Sequence, residues 1–194
     1  QRVDELERAI ARYHRVPERC VLVGTSALAL LRAVTAAMGT TAIPVPDYFE
    51  FARYGAQSVF VRRSERFAPP CISGLGASAV LLSNPNNPTG TCHDLRGIVR
   101  ETARNGVLLV VDEAYVEFAG ERASVASLVA HSENIVVART FSKCYGMLDE
   151  RVAYLLGQPA LLRELHVNPP SRSARLRAQS IIGDHRLADM RRDV

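Results

Sequence analysis

The sequence predicts an α/β fold built on one mostly parallel, seven-stranded sheet with helices on both faces. Three observations lead there. Short apolar runs of strand length alternate along the chain with segments of helical periodicity, the pattern of repeated βα units. Apolar residues make up 47% of the 194 positions and charged residues 23%, an ordinary balance for a chain long enough to bury one sizeable core. The run Val107-Leu108-Leu109-Val110-Val111 is continuously apolar, as a strand buried on both faces requires, so it belongs at the sheet centre.

Val3, Leu6, Ala9, Ile10 and Tyr13 recur at helical spacing and predict an amphipathic helix over residues 3–14, stopped by Pro17. Residues 20–23 form the first strand, followed by Gly24-Thr25-Ser26 and an apolar helix over 27–38. A strand, a small-residue turn and a helix start present free backbone N–H groups to an anion, although such turns more often only cap a helix. Residues 42–45 make the second strand, which ends at Pro46-Asp47-Tyr48; a short helix over 49–55 and a third strand over 58–61 follow. Residues 62–76 lack periodicity and contain Pro69-Pro70 and two glycines, so they read as an exposed connection.

The fourth strand, 79–82, runs into Ser83-Asn84-Pro85-Asn86-Asn87-Pro88-Thr89-Gly90, where two prolines and adjacent asparagines exclude regular structure. A helix over 94–104, with Leu95, Ile98 and Val99 inward, ends at Gly106. The central strand then delivers Asp112-Glu113-Ala114-Tyr115. A carboxylate at that strand end is costly without a cationic or hydrogen-bonded partner. Residues 124–131 form a short helix, 134–140 a strand and 152–156 the seventh strand, closed by Gly157. From Pro159 the character changes to a helix over 160–166, a break at Asn168-Pro169-Pro170-Ser171 and an Arg-rich helix over 174–192. A helix leaving a finished sheet suggests a second domain, which divides the chain at 157/158.

The net charge of +4 comes from dispersed arginines with few interleaved aromatics, which argues against a nucleic-acid partner. No run reaches the ~18 apolar residues of a membrane span, and the charged, helical start is no signal peptide. Cys20, Cys71, Cys92 and Cys144 have neither disulfide nor metal-ligand spacing, so the expected setting is the reducing cytoplasm with no metal centre. Cys144 reads as a packing residue rather than a nucleophile.

Lys143 is the only lysine among 24 basic residues, the rest being arginine. An amine can lose its proton when desolvated and attack a carbonyl, which a guanidinium cannot do. It sits just past the apolar run Ile135-Val136-Val137-Ala138, at the strand end where open α/β sheets place ligands. Other strand ends carry Asn87, Asp112 with Tyr115, and Ser142; the Gly24-Thr25-Ser26 turn and Tyr48 join them. One ligand with a carbonyl, a ring nitrogen, a phenolic oxygen and a phosphate would satisfy all of these groups, and pyridoxal 5'-phosphate has those features.

Ser-Asn-Pro-Asn-Asn-Pro-Thr-Gly at 83–90, Asp-Glu-Ala-Tyr at 112–115 and Ser-Lys-Cys-Tyr-Gly at 142–146, in that order, resemble the class I/II, fold-type I aminotransferases. The resemblance is greatest to the branch of histidinol-phosphate aminotransferase and threonine-phosphate decarboxylase. It implies an aspartate-aminotransferase-like large, cofactor-binding domain over 1–157 and the start of a small domain over 158–194. It also implies a homodimer that moves an amino group between an amino acid, which the branch extends to phosphorylated amino alcohols, and a 2-oxo acid. Carried over by motif, Lys143 holds pyridoxal phosphate as a Schiff base and moves the proton during turnover. Asp112 keeps the ring nitrogen protonated, Asn87 and Tyr115 bond the phenolate oxygen, and Tyr48 stacks on the ring. Ser26, Ala27, Ser142 and Arg151 take the phosphate. The catalytic set is thus Lys143, Asp112 and Tyr115.

Two departures stand out. Asp149-Glu150 precede Arg151 where the family has small apolar residues, placing two carboxylates near the expected phosphate. Ala153 replaces a glycine. On this resemblance the family's N-terminal arm and most of its small domain are missing, so a fragment and a naturally shortened homologue both stay open. A non-catalytic homologue that binds cofactor or a partner remains an alternative, as does a decarboxylase or cyclase of a biosynthetic pathway. A dinucleotide-binding module does not fit, because Gly24-Thr25-Ser26-Ala27 lacks the glycine fingerprint.

Overall fold

The computed structural model describes residues 4–54 and 57–183. Its strands are β1 (Val21–Gly24), β2 (Thr40–Val45), β3 (Gln57–Arg62), β4 (Ala79–Ser83), β5 (Leu108–Asp112), β6 (Ile135–Thr140) and β7 (Ala153–Leu156). They form one seven-stranded sheet in the order β1-β7-β6-β5-β4-β2-β3, with β5 at the centre as its continuous apolar run requires. Only β7 runs antiparallel to its neighbours. Because Ala153 pairs with both Gly24 and Thr140, and Ser83 with Asp112, the C-terminal ends of β1, β6, β5 and β4 meet along one edge.

Alternation along the strands builds a core on each face of the sheet. Val80, Leu82, Leu109, Val111, Ile135 and Val137 pack on one side with α1 (Glu5–His14) and α6 (Arg172–Gly183). Leu81, Val110, Val136 and Leu155 pack on the other with Leu30, Leu31 and Val34 of α2 (Ala27–Ala36). A capping box between Asp4 and Glu7 starts α1. The remaining helices are α3 (Arg96–Arg104), α4 (Val116–Ala119) and α5 (Pro159–Glu164). The short helices expected near residues 49 and 126 are 3-10 turns, Phe49–Arg53 and Ala126–Ala130, a common form for pieces this short.

Two expectations change. Residues 62–76 are not wholly an exposed connection, for Ile72 joins the core and Arg63 is only 4% exposed. Asp47, at the end of β2, needs a counter-charge once covered, and Arg63 supplies it at 2.5 Å. Nor do the described residues after 158 stand apart. Leu162 and Leu165 join the α2-side core, Ala174, Ala178 and Ile182 join the other, and Arg175 pairs with Asp4 at the start of α1. Val3, Gly55 and the helix expected beyond 183 lie outside the described residues.

A buried ionic cluster fastens β5 to β6 beneath the loaded edge. Arg139 of β6 is 0% exposed; its Nε donates to Glu113, just past β5, at 2.9 Å, and its two terminal nitrogens each donate to Glu121 at 3.0 Å. Glu117 of α4 lies 3.5 Å from the same guanidinium. Burial pushes Glu113 upward against the pull of Arg139, Ser124 and the Val125 amide. Glu117, buried with less help, is raised to about 7. Burial also works against Glu121, yet the hydrogen bonds and charge of Arg139 hold it at about 2. Replacing Arg139 with Met leaves Glu113 buried beside no cation, and such losses cost about 3–5 kcal/mol. The expected result is a urea midpoint lowered by that much stability with an unchanged slope.

Candidate active site

Each polar side chain at the loaded edge is aimed by its own strand end. β1 closes on Gly24, where a Cβ would lie 2.8 Å from Leu30 Cδ2, so any larger residue forces the buried Leu30 side chain of α2 to shift. Ser26 caps α2 by accepting from the Ala29 N–H at 3.1 Å. The first-turn amides of Ala27 and Leu28 have no carbonyl partner within the helix, and both residues line the cavity. After β4, Asn84 and Asn86 serve the loop itself. Asn84 bonds the His93 backbone in both directions, and the Asn86 Oδ1 accepts from Thr89 Oγ1 at 2.6 Å. Asn87, whose N–H donates to Ser83 Oγ at 3.0 Å, turns toward the cavity instead.

After β6, a tight turn displays Lys143. Buried Phe141 and Met147 pin it: Phe141 N–H donates to Val152 O at 3.0 Å and Met147 N–H to Phe141 O at 3.1 Å. Lys143 itself is exposed along the cavity, its Nζ 5.5 Å from the centre of the Tyr115 ring.

All nine expected site residues, Ser26, Ala27, Tyr48, Asn87, Asp112, Tyr115, Ser142, Lys143 and Arg151, line this one cavity. Asp112 is its only acidic lining residue, against the cations Lys143 and Arg151. Arg151 is exposed and makes no ion pair among the described residues. The two carboxylates before it stay off the wall: Glu150 pairs with Arg177 and Asp149 is exposed elsewhere.

Several participants were not expected. Leu28, Ser83, Ala114, Thr140 and Leu148 also line the cavity, and Asp47 organises it from behind. Asp47 accepts from the Tyr48 N–H at 2.8 Å, from the Ser83 N–H at 3.1 Å and from Ser83 Oγ, so one buried carboxylate joins β2, Tyr48, β4 and, through Ser83, the Asn87 backbone. The argument that a strand-end carboxylate needs a partner, applied to Asp112, applies equally to Asp47 and was the available signal.

Asp112 finds a hydrogen bond rather than a cation: its Oδ1 accepts from the Ala114 N–H at 3.0 Å. Burial raises it to about 7, the amide lowers it, Asp47 and Glu113 raise it further and Lys143 lowers it. The carboxyl therefore changes protonation near neutrality and suits a partner that itself carries a proton. Since the native state holds the proton more tightly than the unfolded chain, stability is greatest below the unfolded value near 4 and is lost as pH rises through about 7. Asp112→Asn in the ligand-free protein removes that loss. Its stability relative to the parent is expected to rise between pH 5 and 8 by on the order of 3 kcal/mol, read from urea unfolding at each pH.

The wall thus offers an amine, a proton-carrying carboxyl, an amide, a phenol and a helix-start anion seat in one space. Comparison with known proteins gives that chemistry a lineage. A histidinol-phosphate aminotransferase of Desulfitobacterium hafniense is 33% identical over 181 residues, which cover 84% of this chain and 50% of that protein. The histidinol-phosphate aminotransferase structure from Clostridium acetobutylicum superposes with a TM-score of 0.85 at 18% identity, covering 96% of this chain and 61% of its own. The Sinorhizobium meliloti histidinol-phosphate aminotransferase, solved in complex with pyridoxal-5'-phosphate, gives a TM-score of 0.77 at 24% identity over 96% of this chain and 56% of its own. These structural likenesses show a shared fold, and the chain spans about half the length of the sequence relatives it matches. Residues 70–171 match the family model described as aminotransferase class I and II, and the chain belongs to that family.

Proposed function

We propose that this chain forms the cofactor-binding part of a pyridoxal-phosphate-dependent aminotransferase. The observation that carries the proposal is the convergence of Lys143, Asp112, Asn87, Tyr115 and the α2 start on one cavity from four separate segments. The residues present fit the cofactor: an anion seat whose adjacent carboxylates, Asp149 and Glu150, stay off the wall, a buried carboxyl that titrates near neutrality, and an amine on the same wall. Bound there, pyridoxal phosphate supplies an aldehyde for the amine and a ring that accepts an electron pair from the substrate's Cα.

The chain's own groups do the remaining work. The amides of Ala27 and Leu28, the Ser26 and Ser142 hydroxyls and the Arg151 guanidinium bind and neutralise the phosphate. Asp112 shares a proton with the ring nitrogen, which is the role its raised affinity for a proton suits. Asn87 and Tyr115 donate to the phenolic oxygen, and the Tyr48 ring covers one face. Lys143 would hold the cofactor through its amine and, as the base, move the proton between the substrate's Cα and the cofactor's C4′.

Substrates in this reading are an amino-acid donor, with phosphorylated amino alcohols included, and a 2-oxo acid acceptor, within amino-acid biosynthesis. Two copies pair as a homodimer in the cytoplasm, and no helix among the described residues is long and apolar enough to cross a membrane. The division at residue 157 belongs to the proposal too: α5 and α6, though packed on the large core, lead toward a small domain.

Mixing the chain with pyridoxal phosphate, reducing with borohydride and mapping peptides by mass spectrometry is expected to place a pyridoxyl group on Lys143. Lys143→Ala abolishes the label while phosphate still shifts the thermal unfolding of the variant. A label confined to the terminal amine, or none, sinks the proposal. Loss of the visible absorbance band on adding amino acids separates turnover from binding alone.

A further inference from the structure

The loop that displays Lys143 also carries Asp149 and Glu150 immediately before Arg151, the only guanidinium on the cavity wall. A carboxylate there opposes any anion the guanidinium holds, and it is itself a ready partner for that guanidinium. The neighbouring side chains are directed apart. Arg151 has φ of 53°, in the left-handed region that non-glycine residues seldom occupy, and reaches the cavity. Glu150 leaves the cavity and pairs with Arg177 of α6 at 2.5 Å. The second Glu150 oxygen, Oε2, is buried with no hydrogen-bond partner, so Arg177 supplies the only ion pair this carboxylate makes among the described residues. α6 is itself firmly seated, through buried Ala174 and Ala178 and the Arg175–Asp4 pair.

We infer that Arg177 is a positioning residue for the anion seat: by holding Glu150 against α6, it keeps that carboxylate from pairing with Arg151 and leaves the guanidinium for a phosphate monoester. The inference rests on the reading of the cavity given above. The Arg177 side chain is 58% exposed, and a pair of that exposure contributes little to stability, so its effect falls on anion affinity rather than on folding.

The test uses the chain with Arg177→Ala, Glu150→Gln and both together. Affinity is measured for inorganic phosphate, from its effect on thermal unfolding, and for pyridoxal phosphate, from absorbance. Arg177→Ala is expected to weaken both by about five-fold, the scale of a partly exposed charge pair. Glu150→Gln binds at least as tightly as the parent, and the double variant returns to the Glu150→Gln level. A double variant as weak as Arg177→Ala overturns the inference, because the damage then comes from α6 and not from a released carboxylate. Unchanged affinity in Arg177→Ala overturns it too, as does a parent chain that phosphate does not stabilise. Inorganic phosphate has no aldehyde, so its arm is read independently of Lys143. The phosphate pattern without a pyridoxyl label rejects the function and keeps the inference; a label without the pattern does the reverse.

Discussion

A single guanidinium, that of Arg139, holds the working end of the sheet in register. It lies buried among three carboxylates, one following β5 and two from the segment after it, and it belongs to β6. Those two strands carry Asp112 and the Lys143 turn. Backbone pairing fixes their register along the ladder, but a strand end has no further ladder to restrain it. The ionic cluster extends that restraint one residue beyond Asp112. Tyr145, two residues past the lysine, adds a 3.4 Å contact to Glu117. The geometry of amine and carboxyl is set from beneath, by groups that take no part in lining the cavity.

Asp47 does the corresponding work on the other side of β5. Its carboxylate, itself buried, is satisfied by Arg63, two backbone amides and the Ser83 hydroxyl. Burial still raises its proton affinity, and these donors pull it back. Asp112 has only one amide and a nearby ammonium to offset its burial, and so is raised to about 7. Two aspartates at strand ends separated by β4 thus differ in how far burial raises them, in step with the number of donors each receives. One is tied to Arg63 as a structural group; the other is able to exchange a proton with whatever lies against it.

The parts legible in the sequence were those encoded locally. Apolar runs gave the strands, Gly and Pro gave their ends, and polar residues at those ends gave the cavity, because a parallel sheet collects them on one side. The pairings between distant residues were not legible. Asp47 with Arg63, Arg139 with its three glutamates and Glu150 with Arg177 join segments whose approach depends on strand order and crossover, which periodicity does not encode. Arg63 looked like loop charge because its partner was invisible. The seating of α6 on α1 was missed for the same reason: small residues such as Ala174 and Ala178 give a weak periodic signal but allow close helix contact.

The antiparallel return from β6 to β7 has an evolutionary consequence. A parallel pair must be joined by a long crossover, but Thr140 and Ala153 face each other across one ladder, so the segment between them is a closed excursion with both feet on the same rung. Its length can change without shifting either strand, while buried Phe141, Met147 and Val152 hold its feet to the core. Amine and guanidinium ride together on that excursion, so exchanging it between homologous scaffolds would move both at once and keep its charge recognition only where α6 still offers Glu150 a cation.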